Sequence, residues 1–183
     1  MPKHPYFFSF ILLLGLVWIW VSADPQGRAT TQGNIPAPQV GFAAPEFTLT
    51  TLQGDSLTLS DLRGQAVLLN VWASWCPPCR AEMPAMQQVY AEYAERGFTV
   101  LAINLTAQDS RSAAAAFVAE NGLTFPILLD ESGSVANAYR AASLPTSFFI
   151  RPDGIIEEVI IGGPMAEALL RTRIERILPE NQP

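Results

Sequence analysis

Residues Ala66 to Ala73 (AVLLNVWA) form a nearly continuous apolar run, and a strongly patterned segment begins directly behind it. So short an apolar run reads as a β-strand buried on both faces. A strand of that kind needs a sheet with cover on each side, which points to an α/β domain. The surrounding pattern agrees. Phe47 to Thr50 and Ser56 to Leu59, separated by Gln53-Gly54-Asp55, read as a short hairpin. Pro77 to Arg96 carries Met83, Met86, Val89 and Tyr93 at three- and four-residue steps and stops at Gly97, as an amphipathic helix does.

The alternation continues to the C-terminus. Thr99 to Leu105 is a second buried strand, Ser110 to Asn121 an Ala-rich helix and Phe125 to Leu129 a third strand. Ser132 to Tyr139 reads as a short helix. Ser147 to Ile150 and Ile155 to Ile161 flank the turn Arg151-Pro152-Asp153-Gly154, so they are expected to pair antiparallel. Gly163-Pro164 is expected to open a last helix, with the proline in its first position, ending near Leu178-Pro179. The expected fold is a mixed central sheet with helices on both faces, spanning residues 41–178, with a C-terminal tail at 179–183.

Ahead of this domain, Tyr6 to Ala23 is uncharged and apolar, preceded by Lys3 and His4 and followed by Asp24. That charge order directs the N-terminus to the cytoplasm and exports the rest. Residues 1–23 are expected to be a membrane anchor. The length of the stretch and the interfacial pair Trp18 and Trp20 favour this. Val21-Ser22-Ala23 leaves the alternative of a signal peptide cleaved after Ala23. Residues 24–40, rich in Pro, Gln, Gly and Thr, read as a flexible tether spanning about 20–25 Å as a random coil.

Composition removes several chemistries. Of 183 residues 49% are hydrophobic and 15% charged, so a sizeable core is available. Acids outnumber bases 17 to 11 and no basic run occurs, which argues against nucleic acid as a partner. The one histidine, His4, and the one lysine, Lys3, both precede the exported part. That part therefore has no Cys–His or Ser–His pair, no His-ligated metal and no Schiff-base lysine. Its chemistry falls to Cys76, Cys79 and carboxylates.

Those two cysteines lie in Trp75-Cys76-Pro77-Pro78-Cys79, between the buried strand and the helix. A redox dithiol fits the position. Cys76 at a helix N-terminus gains from unpaired N–H groups and the helix dipole, which favour a thiolate. Cys79, three residues on, lies on the same face and can resolve a mixed disulfide formed at Cys76. Pro77 and Pro78 remove two N–H donors from the first turn, so a reducing couple is expected rather than a strongly oxidising one. A purely structural disulfide explains the spacing poorly, because closing so short a loop gains only about 2 kcal/mol against nearly 5 for a 100-residue loop. Zinc is poorly served too, since it wants four ligands.

The run NVWASWCPPCRAEMP, Asn70 to Pro84, resembles the active-site segment of thioredoxin-fold proteins and, more closely, of the membrane-anchored TlpA/ResA-like thiol–disulfide oxidoreductases of bacteria. The resemblance covers residues 41 to about 178, and the anchor and tether fit the same group. It implies a thioredoxin-like fold with an N-terminal β-hairpin and a central helix–strand insertion at Asp109 to Asp130. It also implies that Leu144-Pro145-Thr146 is the cis-proline loop facing the CxxC motif, where Leu144 and Pro145 offer backbone groups to an extended substrate. Trp75 is expected to line the same surface, and Pro84 to shape the helix. Glu82, three residues after Cys79, matches the active-site glutamate of ResA-like proteins, where a buried acid shuttles a proton. Asn70 stands where thioredoxin carries a buried aspartate.

The expected activity is reduction of disulfides in exported proteins on the extracytoplasmic, periplasmic side of a bacterial membrane, without a cofactor. The resemblance implies apocytochrome c as one substrate and a membrane thiol donor as the source of electrons. Two other classes share the fold. A peroxiredoxin-type peroxidase resembles a Pro-x-x-x-Thr-x-x-Cys pattern, which the residues before Cys76 do not supply. A copper chaperone uses a Cys-x-x-x-Cys pair and a distal histidine, and neither occurs in the exported part.

Overall fold

The apolar run folds as β3 (Ala66–Trp72), every residue of it buried. The computed structural model describes residues 35–179. The expected anchor or signal at 1–23, most of the tether and the last four residues of the tail lie outside them. Among the described residues no helix is long and apolar enough to cross a membrane.

Seven strands form one mixed sheet. In chain order they are β1 (Thr48–Thr51), β2 (Ser56–Thr58), β3, β4 (Phe98–Asn104), β5 (Ile127–Leu129), β6 (Thr146–Ile150) and β7 (Ile156–Ile161). Their spatial order is β2-β1-β5-β4-β3-β6-β7. β3 pairs parallel with β4 and antiparallel with β6, and β4 pairs parallel with β5. β1–β2, β1–β5 and β6–β7 are antiparallel, so both expected hairpins are present. Strand β3 therefore has a neighbour on each side, and its C-terminal end opens into the Cys76 turn.

Alternation along β3 sorts its side chains between two cores. Leu68 and Trp72 point to the face covered by α1 (Pro77–Tyr93), α2 (Arg111–Glu120) and α4 (Glu167–Ile177), against Met83, Met86, Phe117 and Ile174. Val67, Leu69 and Val71 point to the other face, against Leu59, Tyr139 and Phe148, where α3 (Ser134–Ala138) provides part of the cover. Asn70 shares the face of Leu68 and Trp72, a polar group placed inside the α1 core and fully buried.

Several boundaries differ from the sequence expectation, each for an identifiable reason. The last helix begins at Glu167, not at Pro164: the Gly163–Pro164 bond is cis, Met165 donates its N–H to Glu82 across the core, and Ala166 remains extended. Strand β5 starts at Ile127 because Pro126, with no N–H, cannot extend its ladder. Helix α3 starts at Ser134 because Gly133 adopts φ 73°, the left-handed region. Pro84 lies inside α1 without ending it.

The helix–strand insertion is tied to the turn that carries the cysteines. Asp109 accepts the backbone N–H of Ser74 at 2.6 Å, the Ser74 hydroxyl at 2.7 Å, the Asn104 amide at 2.8 Å and the N–H of Ser110 at 2.8 Å. Next to it, the indole N–H of Trp75 donates to the Gln108 carbonyl at 2.9 Å. Partial burial pushes the Asp109 carboxyl up, but the hydrogen bonds from Asn104, Ser74 and Ser110 outweigh it and hold the group below its ordinary 3.8. Replacing Asp109→Ala should cost about 1.5–3 kcal/mol in chemical denaturation at pH 7. Because the folded-state value is depressed, this contribution is present above pH 3.8 and lost as pH falls through the lower folded value. The denaturation curves of variant and parent should therefore converge in acid.

Candidate active site

Cys76 is the N-cap of α1, with extended backbone at φ −85°, ψ 110°. Pro77 and Pro78 occupy the next two positions and have no N–H to give. The first available donor of the helix is the N–H of Cys79, which points at Cys76 Sγ at 3.3 Å. The two sulfurs are bonded to each other, with Cα atoms 5.3 Å apart. Cys76 retains 3% of its surface and Cys79 none, so solvent reaches the pair through Cys76 alone.

Beside Cys76 lies an open groove of about 490 Å³, bordered by Trp75, Pro77, Gln108, Asn137 and Leu144. Its walls come from the active turn, from the start of the insertion, from α3 and from the loop before β6. Among the described residues no charged side chain lines it. Trp75 is 54% exposed and projects over this surface, while Trp72, two positions before the turn residue Ser74, is fully buried. The Leu144–Pro145 bond is cis, and the Pro145 carbonyl accepts the N–H of Gly162 at 2.8 Å.

Glu82 sits one helical turn beyond Cys79 and is fully buried. Its Oε1 accepts from Asn70 Nδ2 at 2.8 Å and its Oε2 from the backbone N–H of Met165 at 3.1 Å. Asn70 gives its second Nδ2 hydrogen to Ser147 Oγ at 2.9 Å. Desolvation pushes the carboxyl above its ordinary 4.5, and the bonds from Met165 and Asn70 only partly offset this. The loop that delivers Met165 must come very close. A Cβ on Gly163 would lie 2.6 Å from Glu82 Oε2 and 2.9 Å from Pro145 Cγ, so only glycine fits there.

The sequence-expected residues thus divide into two groups. Trp75, Cys76 and Leu144 share the groove. Cys79 and Glu82 lie behind it in the core, and Pro145 is buried close to Gly163 rather than in the groove lining. Sequence reasoning did not single out Ser147, Gly163, Met165 or Asp109. For Gly163 a signal existed, since a glycine before a proline in a loop suggests a close approach. Ser147 and Met165 carried none, because each meets its partner across the fold.

Comparison with known proteins agrees with this geometry. Residues 40–159 match the AhpC/TSA family. The thiol-disulfide oxidoreductase ResA of Oceanobacillus iheyensis is 41% identical over 149 residues, covering 79% of this chain and 74% of the relative. ResA of Bacillus thuringiensis is 40% identical over 172 residues, covering 92% of this chain and 95% of the relative. A secreted disulfide oxidoreductase of Mycobacterium tuberculosis superposes with a TM-score of 0.65 at 30% identity, covering 71% of this chain and 95% of that one. With the CPPC motif at the helix start and the thioredoxin-like sheet behind it, the chain belongs to the AhpC/TSA family and, within it, to the ResA-type thiol-disulfide oxidoreductases.

Proposed function

We propose that the protein is an extracytoplasmic thiol–disulfide oxidoreductase that reduces disulfides in exported proteins. The observation that carries this reading is the Cys76–Cys79 pair at the start of α1, open to solvent only at Cys76 and adjoining an uncharged groove. In the dithiol form the Cys76 thiolate attacks one sulfur of a substrate disulfide. The substrate S–S bond breaks, its second sulfur departs as a thiolate and takes a proton, and a mixed disulfide with Cys76 remains. Cys79, deprotonated, then attacks Cys76 Sγ, which releases the first substrate sulfur as a thiol and re-forms the Cys76–Cys79 bond. Two electrons have passed to the substrate, and a thiol donor must return them.

Glu82 is assigned the proton of Cys79, being buried one turn away with a raised proton affinity. The backbone of Leu144, ahead of the buried cis Pro145 whose carbonyl accepts from Gly162, is assigned to an extended substrate segment, with Trp75 as the exposed wall of the groove. Residues 41–178 form the catalytic domain, 24–40 its tether and 1–23 a single-pass anchor or a signal cleaved after Ala23. The domain faces the periplasmic side, apocytochrome c is one candidate substrate, and a membrane thiol transporter supplies the electrons.

Two measurements test this. Equilibration in thiol buffers with alkylation trapping should give a reduction potential near or below about −270 mV; one near −120 mV would make the protein a disulfide donor instead. Cys79→Ser should accumulate mixed disulfides with exported proteins, and none would accumulate if Cys76 were not the attacking sulfur. For Glu82 the sign is set by its raised folded value. Burial stabilises the protonated form, so this group's contribution to stability is present below the ordinary 4.5 and declines as pH rises through the folded value. Glu82→Gln should flatten that decline in a series of denaturation curves. It should also slow the resolving step about 10²-fold or more in rapid-mixing assays at pH 7.

A further inference from the structure

A buried acid that gains and loses a proton changes what it asks of its neighbours. Ionised, both oxygens of Glu82 only accept; protonated, one of them must donate. In the core an unmet demand of either kind carries the full cost of burying a polar group. Yet the neighbours of Glu82 are few. From β3 comes Asn70, from β6 Ser147 behind it, from the 163–165 loop the Met165 N–H and the bare backbone of Gly163, and from its own helix Cys79. Cys79 is bonded to Cys76 here and carries a proton only in the dithiol form, and among the described residues no charged side chain acts on the carboxyl.

The Asn70 amide is placed in an unusual way. Both of its Nδ2 hydrogens are used, one on Glu82 Oε1 and one on Ser147 Oγ, while Oδ1 has no partner among the described residues although the side chain is fully buried. That orientation serves an ionised Glu82. Turned over by 180° about its Cβ–Cγ axis, the same amide would offer Oδ1 to both neighbours. Oδ1 has two lone pairs, which could accept from a protonated Glu82 and from the Ser147 hydroxyl. Ser147 can take either part, since a hydroxyl both donates and accepts. The number of satisfied bonds is the same in the two orientations, with one face of the amide idle in each.

We propose that Asn70 is a positioning residue for Glu82, its amide turning over between Glu82 and Ser147 as the carboxyl group gains and loses its proton. The residue at this strand position thus acts through Glu82 and does not touch the reacting sulfurs. An aspartate here could not perform the exchange, because it would place a second carboxylate against the first. Leucine would fill the space and supply neither bond. The inference rests on the reading of Glu82 as the proton carrier of Cys79.

The test uses the full chain in detergent micelles, reduced and oxidised, with the Glu82 carboxyl carbon and the Asn70 side-chain amide followed by NMR across pH. The amide signals of Asn70 should shift with the same midpoint as the Glu82 carboxyl, and Ser147→Ala should change the size of that shift. Asn70→Leu should raise the Glu82 midpoint by about one pH unit or more, a tenfold gain in proton affinity, since both forms lose a partner but the charge-assisted bond lost by the ionised form is the stronger one. The alkaline limb of the pH–rate profile should move with it. Amide signals that stay constant through the Glu82 titration would overturn the proposal, and they need no variant to be read. So would an unchanged midpoint in a folded Asn70→Leu protein. Glu82→Gln separates the two claims: if it leaves the pH–rate profile intact while in the parent protein the Asn70 amide follows the Glu82 titration, the proton-carrier reading falls and the amide exchange stands.

Discussion

One carboxylate joins three parts of this molecule. Glu82 projects from α1 into a largely apolar core, and its two oxygens are met by a strand side chain and a loop backbone. Through Asn70 it connects to Ser147 on the strand that follows the cis-Pro145 loop. Through Met165 it holds the loop that precedes α4, whose N-cap Ala166 is extended, and Gly163 of that loop lies against Pro145. A leucine at position 82 would pack more easily than a carboxylate. In the role proposed for Glu82, the proton it carries is what a group that costs stability when ionised supplies to the site.

Much of the architecture could be read from the chain because the signals are local. The apolar run at 66–73, the three-to-four spacing of Met83, Met86 and Val89, and the Arg151–Gly154 turn each fix an element within a few residues. The cysteine spacing and its place at a helix start were legible for the same reason. What could not be read depends on contacts between distant positions. Ser147 lies 77 residues from Asn70 and Met165 lies 83 from Glu82, and no periodicity announces such meetings. The misplaced start of the last helix has the same origin. Gly163-Pro164 is a good opening by local rules, and it is overruled because the N–H of Met165 is committed to a partner in another element. Asp109, by contrast, looked like the border of an insertion and turned out to fasten the insertion to the turn before Cys76.

That fastening has a structural logic. The groove beside Cys76 takes one wall from the active turn and others from the insertion and α3, which are far apart in sequence. Without a tie, the width of the groove would follow the independent motion of two segments. The two hydrogen bonds from Ser74 to Asp109 and the one from Trp75 to Gln108 join the active turn to the start of the insertion, and Asn104 and Ser110 hold the Asp109 carboxylate in place for them.

The unequal exposure of the two sulfurs has a consequence for time as well as for geometry. On the mechanism proposed above a partner is captured through Cys76, so every covalent complex has the same connectivity, whatever the partner's size or sequence. Cys79, with none of its surface exposed, lies behind that sulfur, away from competing thiols and oxidants in the surroundings. Each complex therefore carries its own release within it, and how long a partner stays bound is set by an internal clock of the enzyme rather than by chance encounters outside.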